Sequence, residues 1–332
     1  MIGFGIAGTG KMADAMARAM PRSGLARVAR VSSASADRAR DRCATWSADS
    51  HGDFAAMLAD PAVEAVYIAG RNAGHAAQSI AALEAGKAVL CEKPAALSLA
   101  EMHDVLAAAK RNGILYMEAI ATPFLPAVAR ALALMQRGDV GAVRRIEISF
   151  GYPVERSEYP RIFGVDGGAL ADRAVYPLML ALLFLGPIRD CRAEVERVEG
   201  IDVAARFFVT HGNGAVSLLA VSLTERLGNC MEVVGTGGVI DIAPPLLTAR
   251  RMAVRKALPL GDGQLRQNPI VRRVLDFAAR GTRRWHPFGV SPYLPELRHF
   301  CGLLREGATE SPVVSHDRMA EVARLIEEAR AT

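Results

Sequence analysis

The sequence predicts an α/β protein. A doubly wound parallel sheet fills its first part, and an α+β domain with an open, mostly antiparallel sheet fills the rest. Three observations carry this. Apolar strand-like runs alternate with amphipathic helix-like runs up to about residue 120. A glycine-rich loop joins the first strand to the first helix. Beyond residue 120, strands with every second residue apolar follow one another across tight turns.

The elements follow in order. Ile2–Ala7 reads as a strand, Met12–Met20 as a helix, Ala26–Ser32 as a strand and Ala36–Cys43 as a helix. Asp53 is a good N-cap for a short helix over Phe54–Leu58. Strand Ala65–Ala69, helix Ala76–Ala85, strand Ala88–Cys91, helix Leu99–Arg111 capped by Ser98, and strand Ile114–Glu118 complete the alternation. These strands are apolar without alternation, as in a parallel sheet covered on both faces. Glycine just past a helix end, as in "EAGKA" (84–88), marks a C-terminus. Helix Ala127–Gln136 opens the second part. Strands over 143–152, 205–211, 215–223 and 231–242 follow, with "THGNGAV" as a hairpin turn. Helices Leu170–Phe184, Leu294–Leu304 and Arg318–Ala329 are expected to cover one face of this second sheet. The domains are placed at 1–120 and 121–332.

At 332 residues the chain is long enough for two domains, each with its own core. Hydrophobic residues make up 51% and charged residues 23%, which excludes a disordered chain. "YPLMLALLFLG" (176–186) is too short to span a membrane and reads as a buried helix. The first residues lack a signal-peptide pattern. The five cysteines are scattered with no CxxC, so a cytoplasmic protein with reduced thiols is expected and no metal site is read. Net charge is +5, while residues 250–284 alone carry ten Lys/Arg against two Asp. Without interleaved aromatic residues this run reads as a solvated face rather than a nucleic-acid surface.

"GIAGTGKMADAM" holds Gly8-x-Gly10-x-x-Ala13 between strand and helix, a dinucleotide fingerprint with alanine in third position. Gly8 permits a tight turn, Gly10 lets the backbone approach a pyrophosphate, and Ala13 permits close helix packing. The loop residues Gly8, Thr9, Gly10, Lys11 and Met12 are therefore cofactor candidates, on a Rossmann domain. The second strand ends in Ser32 and Ser33, with Arg38 just inside the next helix and no acid at the strand tip. A 2′-phosphate would be tolerated there, which favours NADP(H), with NAD(H) as the alternative. Arg38 also reads as an ordinary exposed helix residue. Ligands of such sheets bind beyond the carboxyl ends of the strands. Asn72 and the Glu92-Lys93-Pro94 segment fall there, and His75, at a helix start, serves either helix structure or cofactor. Asp172 and Tyr176, four residues apart in "GGALADRAVYPLM", share a helix face. A lysine cation near such a tyrosine would stabilise its phenolate. Tyr159 and Arg161 are weaker candidates for substrate contact.

With these motifs the chain resembles the glucose–fructose oxidoreductase / inositol dehydrogenase (Gfo/Idh/MocA) family. The GxGxxA loop, "AGKAVLCEKP" and the GG-x₃-D-x₃-Y helix agree in order, and "YMEAIATPFLPAV" (116–128) and "HFCGLLREGATESPVV" (299–314) extend the likeness over nearly the whole chain. Tyr176, where many relatives place histidine, resembles the branch of dihydrodiol and xylose dehydrogenases and nucleotide-sugar 3-ketoreductases. The resemblance implies a catalytic pair Lys93 and Tyr176, with Asp172 touching substrate or orienting the pair. It also implies a nicotinamide cofactor, a sugar, cyclic polyol or diol as substrate, and self-association to a dimer or tetramer. Three positions depart from the pattern: Arg71 before Asn72, Asp166 before the glycine pair, and Arg173-Ala174 after Asp172. The alternative they raise is a cofactor-binding regulator of the same fold without turnover.

Overall fold

The computed structural model describes residues 1–256 and 282–332. Most of the basic run 250–284 thus lies outside the described residues.

The first sheet contains β1 (Ile2–Ala7), β2 (Ala26–Ser32), β3 (Ser50–Gly52), β4 (Ala65–Ile68), β5 (Ala88–Glu92) and β6 (Tyr116–Ala119). Its strand order is β3-β2-β1-β4-β5-β6, and every pairing is parallel. The crossovers are α1 (Lys11–Ser23), α2 (Ala36–Trp46), α3 (Phe54–Ala59), α4 (His75–Glu84) and α5 (Leu99–Asn112). β1, β4, β5 and β6 are buried along their length, which is why they carry unbroken apolar runs. The order reverses between β1 and β4, so the ligand crevice opens at their carboxyl ends. Caps set the helix starts: Asp53 Oδ1 accepts from Ala56 N at 2.7 Å, and Ser98 Oγ from Glu101 N at 3.1 Å.

The second part begins with α6 (Pro126–Gln136) and β7 (Val143–Gly151). A π-type turn (Leu170–Ala174) leads into α7 (Val175–Leu185), then β8 (Ile188–Val198), β9 (Ile201–His211) and β10 (Val216–Ser222). β11 (Met231–Gly235), β12 (Gly238–Ile242), β13 (Arg251–Lys256) and β14 (Thr282–Trp285) follow. Helices here numbered α8 (Leu294–Arg305) and α9 (His316–Ala331) end the chain. Strand order is β14-β13-β12-β11-β7-β10-β9-β8, antiparallel except for the parallel pair β7 and β10.

Four differences from the sequence expectations have local causes. Residues 231–242 form a hairpin, not one strand, turning at Thr236–Gly237, where the flanking glycines supply the tight bend. β8 escapes sequence detection because it is an edge strand, mostly charged and half-exposed along its length. The helix expected over Leu170–Phe184 widens before Pro177, which has no N–H to give the Arg173 carbonyl four residues back. Finally, α8 and α9 do not simply cover the second sheet. α8 packs against α1, with Phe300 and Phe4 rings 5.8 Å apart. α9 packs against α5 as well as α7 and β8, and Arg330 Nη1 donates to Leu97 O at 2.6 Å. The end of the chain therefore ties the two halves together.

Candidate active site

A cleft of about 790 Å³ opens at the reversal of strand order, lined by Gly8, Thr9, Gly10, Ser33, Arg38, Asp53, Arg71 and Arg161 among others. Gly8 has φ +129°, and a Cβ there would collide with the Ala69 carbonyl of the neighbouring strand end, so the turn requires glycine. A Cβ on Gly10 would meet nothing within 4 Å: the space over the loop is open. No side chain caps the start of α1, so its first N–H groups face that space with the helix dipole behind them. An open cradle of backbone donors with three arginines and one aspartate on its walls fits a dinucleotide phosphate backbone.

β5 delivers Lys93 to the carboxyl edge of the same sheet. Lys93 Nζ donates to Asp172 Oδ1 at 2.7 Å and to the Asp172 carbonyl at 2.8 Å. It also stands 5.3 Å from the Tyr176 ring centroid. Phe150, at the end of β7, packs edge-on against Tyr176 at 5.5 Å. Lysine, aspartate and tyrosine thus converge from segments 79 residues apart. Burial opposes the Lys93 charge, but its acidic neighbours, with the Asp172 carboxylate in direct contact, outweigh it and hold its pKa above the ordinary lysine value. Burial likewise raises Asp172, yet Lys93 outweighs it and the carboxyl lies below its usual range. For Tyr176 burial wins over the opposing effect of Lys93, so the pKa is raised and the phenol keeps its proton at neutral pH. The lysine moderates that rise without making a phenolate.

The turn carrying Lys93 is held from below. Glu118 Oε1 accepts from Ala95 N at 2.8 Å, and His75 Nδ1 lies 2.9 Å from Pro94 O. Burial pushes the Glu118 carboxyl up to about 7. Tyr67 donates to Glu92 Oε1, and burial raises Glu92 as well. His75 is 1% exposed, so its side chain supports the Lys93 turn instead of facing the cleft. Glu92 is likewise buried, facing Tyr67.

The other candidates are dispersed. Lys11 and Tyr159 meet each other, Met12 lies against Tyr293, and Asn72 Nδ2 donates to Asp166 O at 3.0 Å. Arg161 lines the dinucleotide cleft. Sequence reasoning did not assign Asp53 to the cleft, because β3, which aligns Gly52 beside Ser32, is too short to show as a pattern. Arg173 is 4% exposed: its Nη1 donates to Tyr152 O at 2.8 Å and to Ser222 O, and its Nε stands 3.6 Å from Asp172 Oδ2. The sequence marked it only as a departure from pattern. Among the described residues, no group of three or more His, Cys, Asp or Glu is placed to hold a metal ion.

A dinucleotide cleft beside a lysine–aspartate–tyrosine corner, on a Rossmann domain with a mixed-sheet partner, defines the class of nicotinamide-dependent oxidoreductases. Within that class the chain belongs to the Gfo/Idh/MocA family. The model for its NAD-binding Rossmann oxidoreductase domain matches residues 2–120, and that for the Gfo/Idh/MocA C-terminal domain matches residues 128–241. An uncharacterized oxidoreductase, ORF334 of Rhizobium meliloti, is 31% identical over 93% of this chain and 90% of its own length. Bovine trans-1,2-dihydrobenzene-1,2-diol dehydrogenase is 28% identical over 84% of this chain and 80% of its own. Among solved structures, a levoglucosan dehydrogenase with NADH and levoglucosan superposes with a TM-score of 0.82 at 21% identity, over 99% of this chain and 97% of that one. KijD10, a 3-ketoreductase from Actinomadura kijaniata with NADP, gives 0.78 at 22%, over 99% and 96%. At such identities these structures speak for the fold. Among the described residues no helix is long and apolar enough to cross a membrane.

Proposed function

We propose that this enzyme moves a hydride between a nicotinamide cofactor and a secondary alcohol or ketone on a sugar, cyclic polyol or diol. The observation that carries this is the convergence of Lys93, Asp172 and Tyr176 at the carboxyl edge of the dinucleotide-binding sheet. The bound nicotinamide supplies or accepts the hydride. In the reductive direction Tyr176 gives its phenolic proton to the forming alkoxide, consistent with a pKa that burial holds high. Lys93 places a fixed positive charge beside that oxygen. Asp172 holds the ammonium in place, and Arg173 steadies the other carboxylate oxygen.

NADP(H) is the preferred cofactor, on Ser33 and Arg38 in the cleft wall. A second reading, NAD(H), is favoured by Asp53, a carboxylate lining the same cleft from the strand beside β2. Titrating NADPH and NADH by fluorescence decides: tighter NADPH binding supports the first, equal or tighter NADH the second. A screen of ketosugars, diols and aldoses for change in nicotinamide absorbance tests the reaction. A chain that binds dinucleotide yet turns over none of them would favour the regulator alternative.

Self-association is proposed through the open face of the second sheet. Phe208 on β9 and Leu218 on β10 are paired across the ladder and remain 43% and 38% exposed. A second copy covering them gives a dimer or tetramer. A cytoplasmic location is proposed on the five free cysteines.

A further inference from the structure

Arg173 departs from the family pattern, and its buried surroundings give it a place in the corner. β7 and β10 run parallel, with Gly151 and Ser222 as their last paired residues. At that end Arg173 Nη1 donates to the carbonyls of Tyr152, at 2.8 Å, and of Ser222. Its guanidinium carbon stands 5.3 Å from the centroid of the Phe150 ring, which also packs edge-on against Tyr176. Its Nε faces Asp172 Oδ2 at 3.6 Å, an ion pair longer than a hydrogen bond. The other carboxylate oxygen, Oδ1, accepts from Lys93 Nζ at 2.7 Å, and the Asp172 carbonyl accepts from the same ammonium at 2.8 Å. A line of contacts therefore runs from the end of the second sheet, through Arg173 and Asp172, to Lys93 at the edge of the first. Two carbonyls, a carboxylate and a ring hold the planar guanidinium in one geometry, which a solvated surface cation would not keep.

We propose that Arg173 is a positioning residue for Lys93: it clamps Asp172 from the second sheet, so that Asp172 serves as the counter-ion of Lys93 and does not recognise substrate. This rests on the reading that Lys93 and Tyr176 act in hydride transfer. Each Asp172 oxygen already faces a cation, so a substrate hydroxyl would have to compete with one of them for the carboxylate. Rotation of the carboxylate away from Lys93 would break the Arg173 contact as well. A fixed ammonium matters because charge set in place beforehand needs no reorganisation when the alkoxide forms. The titratable and charged groups that face Asp172 are Lys93 and Glu92 from the first sheet, Tyr176 from α7 and Arg173 beside it. Burial raises the Asp172 pKa, and the two cations outweigh it. Without the Arg173 charge Asp172 would take up its proton at higher pH, and Lys93 would lose its counter-ion there. Glu92, raised by burial, is the competing carboxyl.

The test is steady-state kinetics of the full-length protein as a function of pH, with the best substrate from the ketosugar, diol and aldose screen. Wild type is compared with Arg173→Gln, Arg173→Lys, Asp172→Asn and the double variant Asp172→Asn/Arg173→Gln. Glutamine keeps an N–H donor for the Tyr152 and Ser222 carbonyls but carries no charge, so it separates the clamp from the fold better than Arg173→Met. Arg173→Gln is expected to lower kcat about 10-fold, the scale of one charge-assisted hydrogen bond, with KM and NADPH affinity little changed. The acid limb of its kcat/KM profile should move to higher pH, and Arg173→Lys, which returns a cation, should bring the limb back. Asp172→Asn should lower kcat and leave KM near wild type. Adding Arg173→Gln to Asp172→Asn should cost no further kcat, because the clamp acts through Asp172. Equal losses in the two backgrounds would make Arg173 a brace of the second sheet alone and overturn the proposal. An acid limb that stays in place in Arg173→Gln also overturns it, and would leave Glu92 as the group titrating there. So does a raised KM with undiminished kcat in Asp172→Asn, which would make Asp172 a substrate contact. If the wild-type protein turns over none of the screened compounds, the hydride-transfer reading itself falls, and the proposal with it.

Discussion

The dinucleotide cleft and the proposed catalytic corner lie on one sheet edge but are built from different materials. The cleft is mostly backbone: a glycine loop, an uncapped helix start and exposed arginines on the walls. Apart from Arg161, its lining falls within residues 7–78, and most of its attraction for anions comes from dipoles and solvated charge. The corner is side chains held under burial: Lys93 paired with Asp172, Tyr176 kept protonated, and Glu92 and Glu118 beneath them. Its members come from two stretches well apart in the chain, residues 92–118 and 172–176. Substitutions in the cleft should therefore be graded and additive, while substitutions in the corner should be abrupt.

The comparison breaks most visibly at Tyr176. Tyr176→Phe keeps the ring and its packing on Phe150 but removes the proton. Turnover should fall by about 10²- to 10⁴-fold with nucleotide affinity little changed, as steady-state rates and fluorescence titration would show. A comparable loss of nucleotide affinity would place Tyr176 in the cleft instead of the corner.

Glu118 should give the next largest effect, on stability. Its folded pKa of about 7 stands above the ordinary 4.5. Between those values the folded chain holds a proton that the unfolded chain has released, so stability falls as pH rises from 4.5 to 7 and levels off above. The fall from this group is about 3 kcal/mol. Glu118→Gln keeps the acceptor for Ala95 N and should flatten that slope in urea titrations. An unchanged slope would show that Glu118 is not the group responsible.

Arg173 tests whether the corner is braced from the second sheet. Arg173→Met leaves the Tyr152 and Ser222 carbonyls without their donor and should destabilise the fold by about 1–3 kcal/mol in chemical denaturation. The smallest substitution effect is expected on the outer face of the second sheet. Leu218→Glu should shift the protein to a monomer in light scattering while leaving nucleotide affinity intact. Persistence of the oligomer would place the interface elsewhere.

What could be read from the sequence follows the same division. The glycine loop announces its strand, turn and helix within a dozen residues, because each step of that geometry restricts the residue type. Lys93 was legible for a related reason: a charge at the end of the buried β5 has nowhere to sit but the ligand edge. Asp172 and Tyr176 were legible as a pair, though the wide turn before Pro177 was not, since helix periodicity does not register one displaced hydrogen bond. Glu118 and His75 were harder still. Their roles depend on the Pro94–Ala95 backbone, to which neither is close in sequence, and only the parallel register of β5 and β6 brings Glu118 to it. β8 was missed because alternating charge on a half-exposed edge strand looks like a solvated surface of any kind. The protonated state of Tyr176 also had to come from structure, since the contest between burial and a nearby lysine is decided by depth and distance.

The central claim is that Lys93 serves chemistry and not cofactor affinity. The direct measurement is the single-turnover rate of nicotinamide absorbance change with Lys93→Met and saturating NADPH, using the best substrate from the ketosugar, diol and aldose screen. The rate should fall at least about 100-fold below wild type while NADPH still binds with near wild-type affinity. An undiminished rate, or a loss wholly explained by weaker NADPH binding, would contradict the account.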